Sequence, residues 1–187
     1  MKKIFTENKT FYGFQDKEIS NETLVDLYEM VKNNATSFNC QPLRITFVKS
    51  KESKQKLDPF ILETNKEKTM NAPVTAILSM DLSFYEDLPI NFPAMDVSFL
   101  FKDNPDFTYQ SAFRNSSLQG GYFIKAAHVL GLGTGPMSGF DNNGLDEDFF
   151  KDQNWKSNFL CNLGYGDEEL TRSRAPRYEF DEIAEIL

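Results

Sequence analysis

Among its 187 residues the chain has only two cysteines, one histidine and one tryptophan. Cys40 and Cys161 stand far apart with no CxxC or Cys/His spacing, so the pattern offers neither a zinc site nor a redox dithiol. Both read as reduced thiols. A lone histidine, His128, excludes His–His metal sites and most histidine-dependent triads. It falls near the C-terminus of a helix, where a partly protonated ring would suit the dipole, and it reads as structural. The lone Trp155 reads as packing at a strand entrance. No apolar run reaches the roughly 18 residues of a membrane span. The opening MKKIFTENKTFYG has lysines but no apolar stretch after them, unlike a secretory leader, so the cytoplasm is the default expectation. Positive charge is scarce. Twenty Lys and Arg against 28 Asp and Glu leave a net charge of −8, which excludes nucleic acid as a general partner. The acidic stretch from Asp141 to Asp148 lacks the alternating ligands of a calcium loop and reads as a solvated helix. No acid–base dyad and no metal cluster stands out. The expectation is therefore no metal, no assigned catalytic side chain, and chemistry carried by a cofactor.

What is present is ordinary globular composition, 40% hydrophobic and 26% charged, enough for one domain over 1–187 with a sizeable core. Ser20 is a plausible N-cap for a helix with Leu24, Leu27, Tyr28 and Val31 at helical spacing, stopped at Asn33-Asn34. Arg44 to Lys49 reads as a strand, Lys51 to Leu57 and Asn65 to Asn71 as short helices, and VTAILSM (74–80) as a buried strand. Residues 81–110, rich in Phe, Pro and Asp, read as a mobile excursion with short helices, lying over the active site rather than joining the core. The longest helix is placed from about Phe113 to Leu130, with Leu118, Tyr122, Ala126 and Val129 on one stripe and Gly131 or Gly133 as its cap. A short helix at 142–150, a strand at 158–163 and a terminal helix at 181–187 complete the reading. Helices and strands intersperse without a regular βαβ rhythm, so the class is α+β.

Four stretches carry candidate chemistry. In GLGTGPMSG (131–139), Pro136 withholds a donor while Gly135 and Gly139 carry no side chain, which lets a flat ligand approach the main chain. In TRSRAPR, Arg172 and Arg174 at i and i+2 of an extended segment would point the same way, to clamp one dianion or to lie on a solvated arm. ATSFNCQP gathers the hydroxyls of Thr36 and Ser37 with the amides of Asn39 and Gln41. They suit either a polar ring edge and ribityl chain or a helix terminator built of Asx and ST turns. In NKEK, Asn65 and Lys68 share a helix face at i, i+3, either to meet the pyrimidine edge of a heterocycle or to lie exposed.

Together these stretches resemble the FMN-dependent nitroreductase family, and within it the small branch that includes the malonic semialdehyde reductases. The likeness runs from Ile4 to the C-terminus and is strongest in FRNSSLQGGYFIKAAHVLGLGTGPMSGFDNNGLDEDFF and WKSNFLCNLGYGD. The resemblance implies an α+β fold with a mostly antiparallel central sheet flanked by helices and a long buried central helix. It also implies a homodimer binding FMN at its interface. By the family pattern Arg172-Ser173-Arg174 would hold the phosphate with Lys9 and Thr10, while Tyr12 stands where a second cation is usual. Thr36, Ser37 and Asn39 would reach the partner's flavin, and Asn65 and Lys68 would meet the pyrimidine edge. Pro136, Met137, Ser138 and Gly139 would lie under the ring. The implied activity takes hydride from NADH or NADPH and reduces a small acceptor (a nitro compound, quinone, enal or semialdehyde) in ping-pong fashion. The alternatives are a non-catalytic flavin- or anion-binding dimer and, less favoured, a purely structural one.

Overall fold

The segment 74–81 is apolar on both sides because it is covered on both sides: every residue of it is buried. In the computed structural model, which describes residues 3–187, the chain runs through α1 (Lys3–Thr6), α2 (Asn21–Val31), β1 (Leu43–Val48), α3 (Lys51–Leu57), α4 (Glu63–Met70), β2 (Val74–Asp81), α5 (Leu88–Asn91), α6 (Phe99–Lys102), α7 (Pro105–Val129), β3 (Gly133–Met137), α8 (Asn142–Phe149), β4 (Trp155–Gly164) and α9 (Phe180–Ile183). Met1 and Lys2, where the leader reading begins, lie outside the described residues. The four strands form one antiparallel sheet in the order β1-β2-β4-β3, with Ile45 opposite Leu78, Ala76 opposite Cys161 and Gly135 opposite Asn162.

Alternation along β2 divides two cores. Val74, Ala76 and Leu78 face α2 and α7, packing with Leu27, Val31, Phe123, Ala127 and Leu163. Ile77 faces the other way, onto Leu57, Ile61, Met137, Leu145 and Leu160 beneath α3 and α8. Asp146 of α8 is also drawn inward, 5% exposed, where it accepts from the Ser157 N–H at 2.8 Å; that helix is acidic but only half solvated.

Local signals set the helix ends. Ser20 accepts from the Thr23 N–H and caps α2, whose last carbonyls are taken by the Asn33 and Asn34 side chains. Gly131, at φ 75°, ends α7 in the left-handed conformation, with the Leu132 N–H returning to the Ala127 carbonyl at 2.9 Å.

Four expectations need correction. First, α7 begins at Pro105, not near Phe113, because Asn104 caps it through the Phe107 N–H and Pro105 fits the first turn. Second, the predicted stripe on this helix reaches the sheet-facing core only at Ala126. Leu118 and Val129 are 44% and 50% exposed, whereas Asn115, Gln119, Phe123 and Ala127 are buried. The polar pair goes inward because Asn115 Oδ1 accepts from the Ser37 N–H and Gln119 Oε1 from the Leu43 N–H, at 2.9 and 3.0 Å. Third, residues 81–110 do hold short helices, but they build a third core. Phe84, Leu88, Val97 and Phe101 are buried with Cys40, Met80 and Ala112, and the Phe84 and Phe101 rings meet edge to face at 4.9 Å. The terminal helix is also shorter than expected. After Ile183 the chain is extended and Ile186 and Leu187 are exposed, since one turn with no packing surface does not propagate.

Candidate functional site

The N-terminal arm builds one wall of a cleft. Its residues 10 and 11 lie along the open edge of β3, with the Phe11 N–H donating to the Thr134 carbonyl at 2.9 Å and Thr10 bridging Thr134, while Phe14 bridges Gly166 just beyond β4. The glycines of β3 serve this contact. A Cβ on Gly135 would stand 2.8 Å from the Phe11 carbonyl oxygen, and one on Gly133 would meet the Phe11 ring at 2.7 Å. A Cβ on Gly139 would run into Asn65 Nδ2. The small residues expected to admit a flat ligand thus admit, at Gly135 and Gly139, the chain itself. What the 136–139 loop leaves open is Pro136 and Ser138, while the Met137 side chain is buried beside Thr69 Oγ1.

The C-terminal segment supplies the opposite wall. Arg174 donates through Nη2 to the carbonyls of Thr6 and Asn8 at 2.8 and 2.7 Å, stitching the two ends of the chain together. Arg172 lies over the Tyr12 ring at 4.7 Å, and Lys68 approaches the same ring at 5.3 Å. Tyr12 therefore separates two cations that would otherwise repel, each drawn to the negative ring face. Burial, and secondarily the Arg172 charge, holds the Lys68 ammonium below the usual lysine range.

The resulting cleft, about 430 Å³, is lined by Lys9, Thr10, Tyr12, Pro136, Arg172 and Arg174, among others. Lys125 and Arg177 join them, and among the described residues no aspartate or glutamate lines it, in a chain whose net charge is −8. Lys9 is engaged from the rim by Glu168 at 2.7 Å. Two further lining residues carry buried nitrogens without a partner, Asn8 Nδ2 and His128 Nδ1. His128 meets Thr134 Oγ1 through Nε2 at 2.9 Å. Burial, with Lys125 nearby, pushes its pKa down, so the ring is more neutral than its place near a helix end led us to expect. Five cations, two orphaned polar nitrogens and no acid form a donor set for a phosphorylated ligand.

Asn65 and Lys68 adjoin this cleft through α4. Asn65 Nδ2 donates to the Gly139 carbonyl at 3.0 Å, fixing α4 against the loop. Thr36, Ser37 and Asn39 are not among the cleft's lining residues. They form a tight turn in which Phe38, Asn39 and Gln41 all adopt positive φ, and Asn39 Nδ2 donates to the Asn91 carbonyl at 2.9 Å.

Sequence reasoning missed Lys54, which sits beneath α4. It is 5% exposed although KESKQKL looks wholly solvated; its only signal is the i, i+3 spacing from the buried Leu57. Its ammonium donates to the Thr69 carbonyl and Thr75 Oγ1 at 2.7 and 2.6 Å, and burial lowers its pKa from 10.5 to about 8. Below pH 8 both folded and unfolded chains hold this proton. Between about 8 and 10.5 only the unfolded chain does, so Lys54 makes stability rise with pH across that window. The rise in urea midpoint between those limits is expected to be smaller in Lys54→Met than in the parent.

The sequence model of the Nitroreductase family matches residues 7–165. A protein of Polynucleobacter asymbioticus, named provisionally as an NADH dehydrogenase/NAD(P)H nitroreductase, is 47% identical over 187 residues, covering 100% of this chain and 95% of that protein. The chain belongs to the nitroreductase family. Among solved structures, a Bacillus subtilis protein provisionally described as a nitroreductase superposes with a TM-score of 0.90 at 21% identity, covering 100% of this chain and 98% of that one. A similarly described Exiguobacterium sibiricum protein in complex with FMN gives 0.88 at 17% identity, covering 100% and 96%. The fold is thus that of the nitroreductases.

Proposed function

We propose that the protein is an FMN-dependent oxidoreductase that uses NADH or NADPH to reduce a small organic acceptor, a nitro compound, quinone, enal or semialdehyde, by ping-pong transfer through one cleft. The observation that supports this reading is the cationic cleft between residues 8–12 and 172–177, which reaches the 136–139 loop at Pro136. FMN, when bound, supplies reversible two-electron chemistry, and the chain supplies position and electrostatics. Arg172 and Arg174, with Lys9 and Thr10, would hold the phosphate. Asn65 and Lys68 would face the pyrimidine edge, where a cation favours the reduced form. Pro136, Met137, Ser138 and Gly139 would give the ring its floor.

A homodimer completes the reading. The open stripe of α7 lines an apolar groove of about 710 Å³ with Phe5 and Met30, and Tyr178, Phe180 and Ile183 of the C-terminal segment are exposed. A second copy would cover these surfaces and bring Thr36, Ser37 and Asn39 to the other subunit's cofactor. The excursion at 81–110 would then roof the site, and two buried free thiols suit the reducing cytoplasm. Among the described residues no helix is long and apolar enough to cross a membrane.

Protein supplemented with FMN is expected to elute at twice the 21.5 kDa chain mass and to lose the flavin's visible band on addition of NADH or NADPH. Tight FMN binding with no bleaching by either nucleotide would favour the non-catalytic binder.

A further inference from the structure

Lys54 carries a buried charge that the cleft does not use. Its ammonium meets only neutral acceptors, the Thr69 carbonyl and Thr75 Oγ1, and no carboxylate pairs with it among the described residues. Burying an ammonium without an anion is costly, and an apolar side chain of similar length would fill the space without that cost. Its hydrogen bonds lead toward the candidate site. Thr75 Oγ1 donates to Asn162 Oδ1 at 2.7 Å, and Asn162 Nδ2 reaches the Lys68 carbonyl at 3.3 Å and Thr69 Oγ1 at 3.4 Å. Thr69 Oγ1 in turn donates to the Asn65 carbonyl at 2.8 Å and lies 3.5 Å from Met137 Sδ.

We propose that Lys54 is a positioning residue: through Thr69, Thr75 and Asn162 it fixes the turn of α4 bearing Asn65 and Lys68 against the Met137–Gly139 loop, and its charge adds to the positive field at the ring edge of the bound flavin. The inference rests on the flavin reading above. The network touches the ring-edge side of the site and none of the cleft's arginines, so its influence is on the ring and not on the phosphate. A fixed buried cation acts through a medium of low dielectric, where a charge is screened far less than at the surface.

The test titrates apoprotein with FMN and with riboflavin and measures the midpoint potential of the FMN complex, for the parent, Lys54→Met and Thr75→Val. In Lys54→Met, affinity for both ligands is expected to fall about tenfold and by the same factor. The reduced form is expected to lose a further tenfold, which for a two-electron couple lowers the potential by about 30 mV. Thr75→Val keeps the ammonium but removes one acceptor; both readouts are expected to move the same way by less. An unchanged potential in Lys54→Met, or a loss confined to FMN with riboflavin binding intact, overturns the proposal. Should Lys54→Met not fold, parent-like values of both readouts in Thr75→Val overturn it instead. Failure of the parent to bind FMN at all would remove the flavin reading itself, and it is seen in the parent titration before any variant is compared.

Discussion

Replacing Arg172 and Arg174 together by alanine is expected to weaken FMN binding about a hundredfold while leaving riboflavin binding within a factor of two or so. A charge-assisted hydrogen bond contributes roughly 1.5–3 kcal/mol, and the lower figure applies in an open, solvent-screened cleft, giving about tenfold for each guanidinium. The two side chains are not equivalent. Arg172 stacks on Tyr12, whereas Arg174 already holds the carbonyls of Thr6 and Asn8, so its loss also loosens the N-terminal arm. Fluorescence titration of the single variants should therefore show the larger effect for Arg174→Ala. Equal losses of FMN and riboflavin affinity would mean that these arginines do not act at the phosphate.

Gly135→Ala is expected to be destabilising by about 1–3 kcal/mol, the usual range for overpacking a filled site. The added methyl would meet a backbone oxygen, that of Phe11, and not the end of a flexible side chain. The arm must therefore lift from β3, carrying Lys9, Thr10 and Tyr12 with it. Once Tyr12 moves, Lys68 and Arg172 lose the ring that separates them. The variant should show a lowered urea midpoint and at least tenfold weaker FMN binding. A stable variant with parent-like affinity would show that the contact between the arm and β3 is dispensable.

Much of the frame was legible in the sequence. Ser20, the apolar run 74–80 and Gly131 announce a helix start, a central strand and a helix end through local chemistry alone, and the structure places all three there. The face of α7 was not legible, because periodicity identifies an apolar stripe without saying what it meets. Asn115 and Gln119 face inward to satisfy backbone N–H groups of Ser37 and Leu43, distant in sequence. Residues 81–110 were obscure for a related reason. Helices of one turn carry no period, and their burial depends on Phe84 and Phe101 meeting each other and Ala112. At the cleft, Arg172 and Arg174 stand out in the sequence as paired cations in one short run, whereas Lys9 and Thr10 come only from the family resemblance; all four line the same cleft. Lys54 was hidden because a lysine in a charged helix looks the same on paper whether it faces water or the core.

The stitch made by Arg174 separates what folds the chain from what lines the cleft. One wall of the cleft is made from residues 8–12 and the other from residues 172–177. The sheet and its three cores draw on no residue beyond 165. A chain truncated at residue 165 is therefore expected to keep the sheet and to lose both arginines of the proposed phosphate grip.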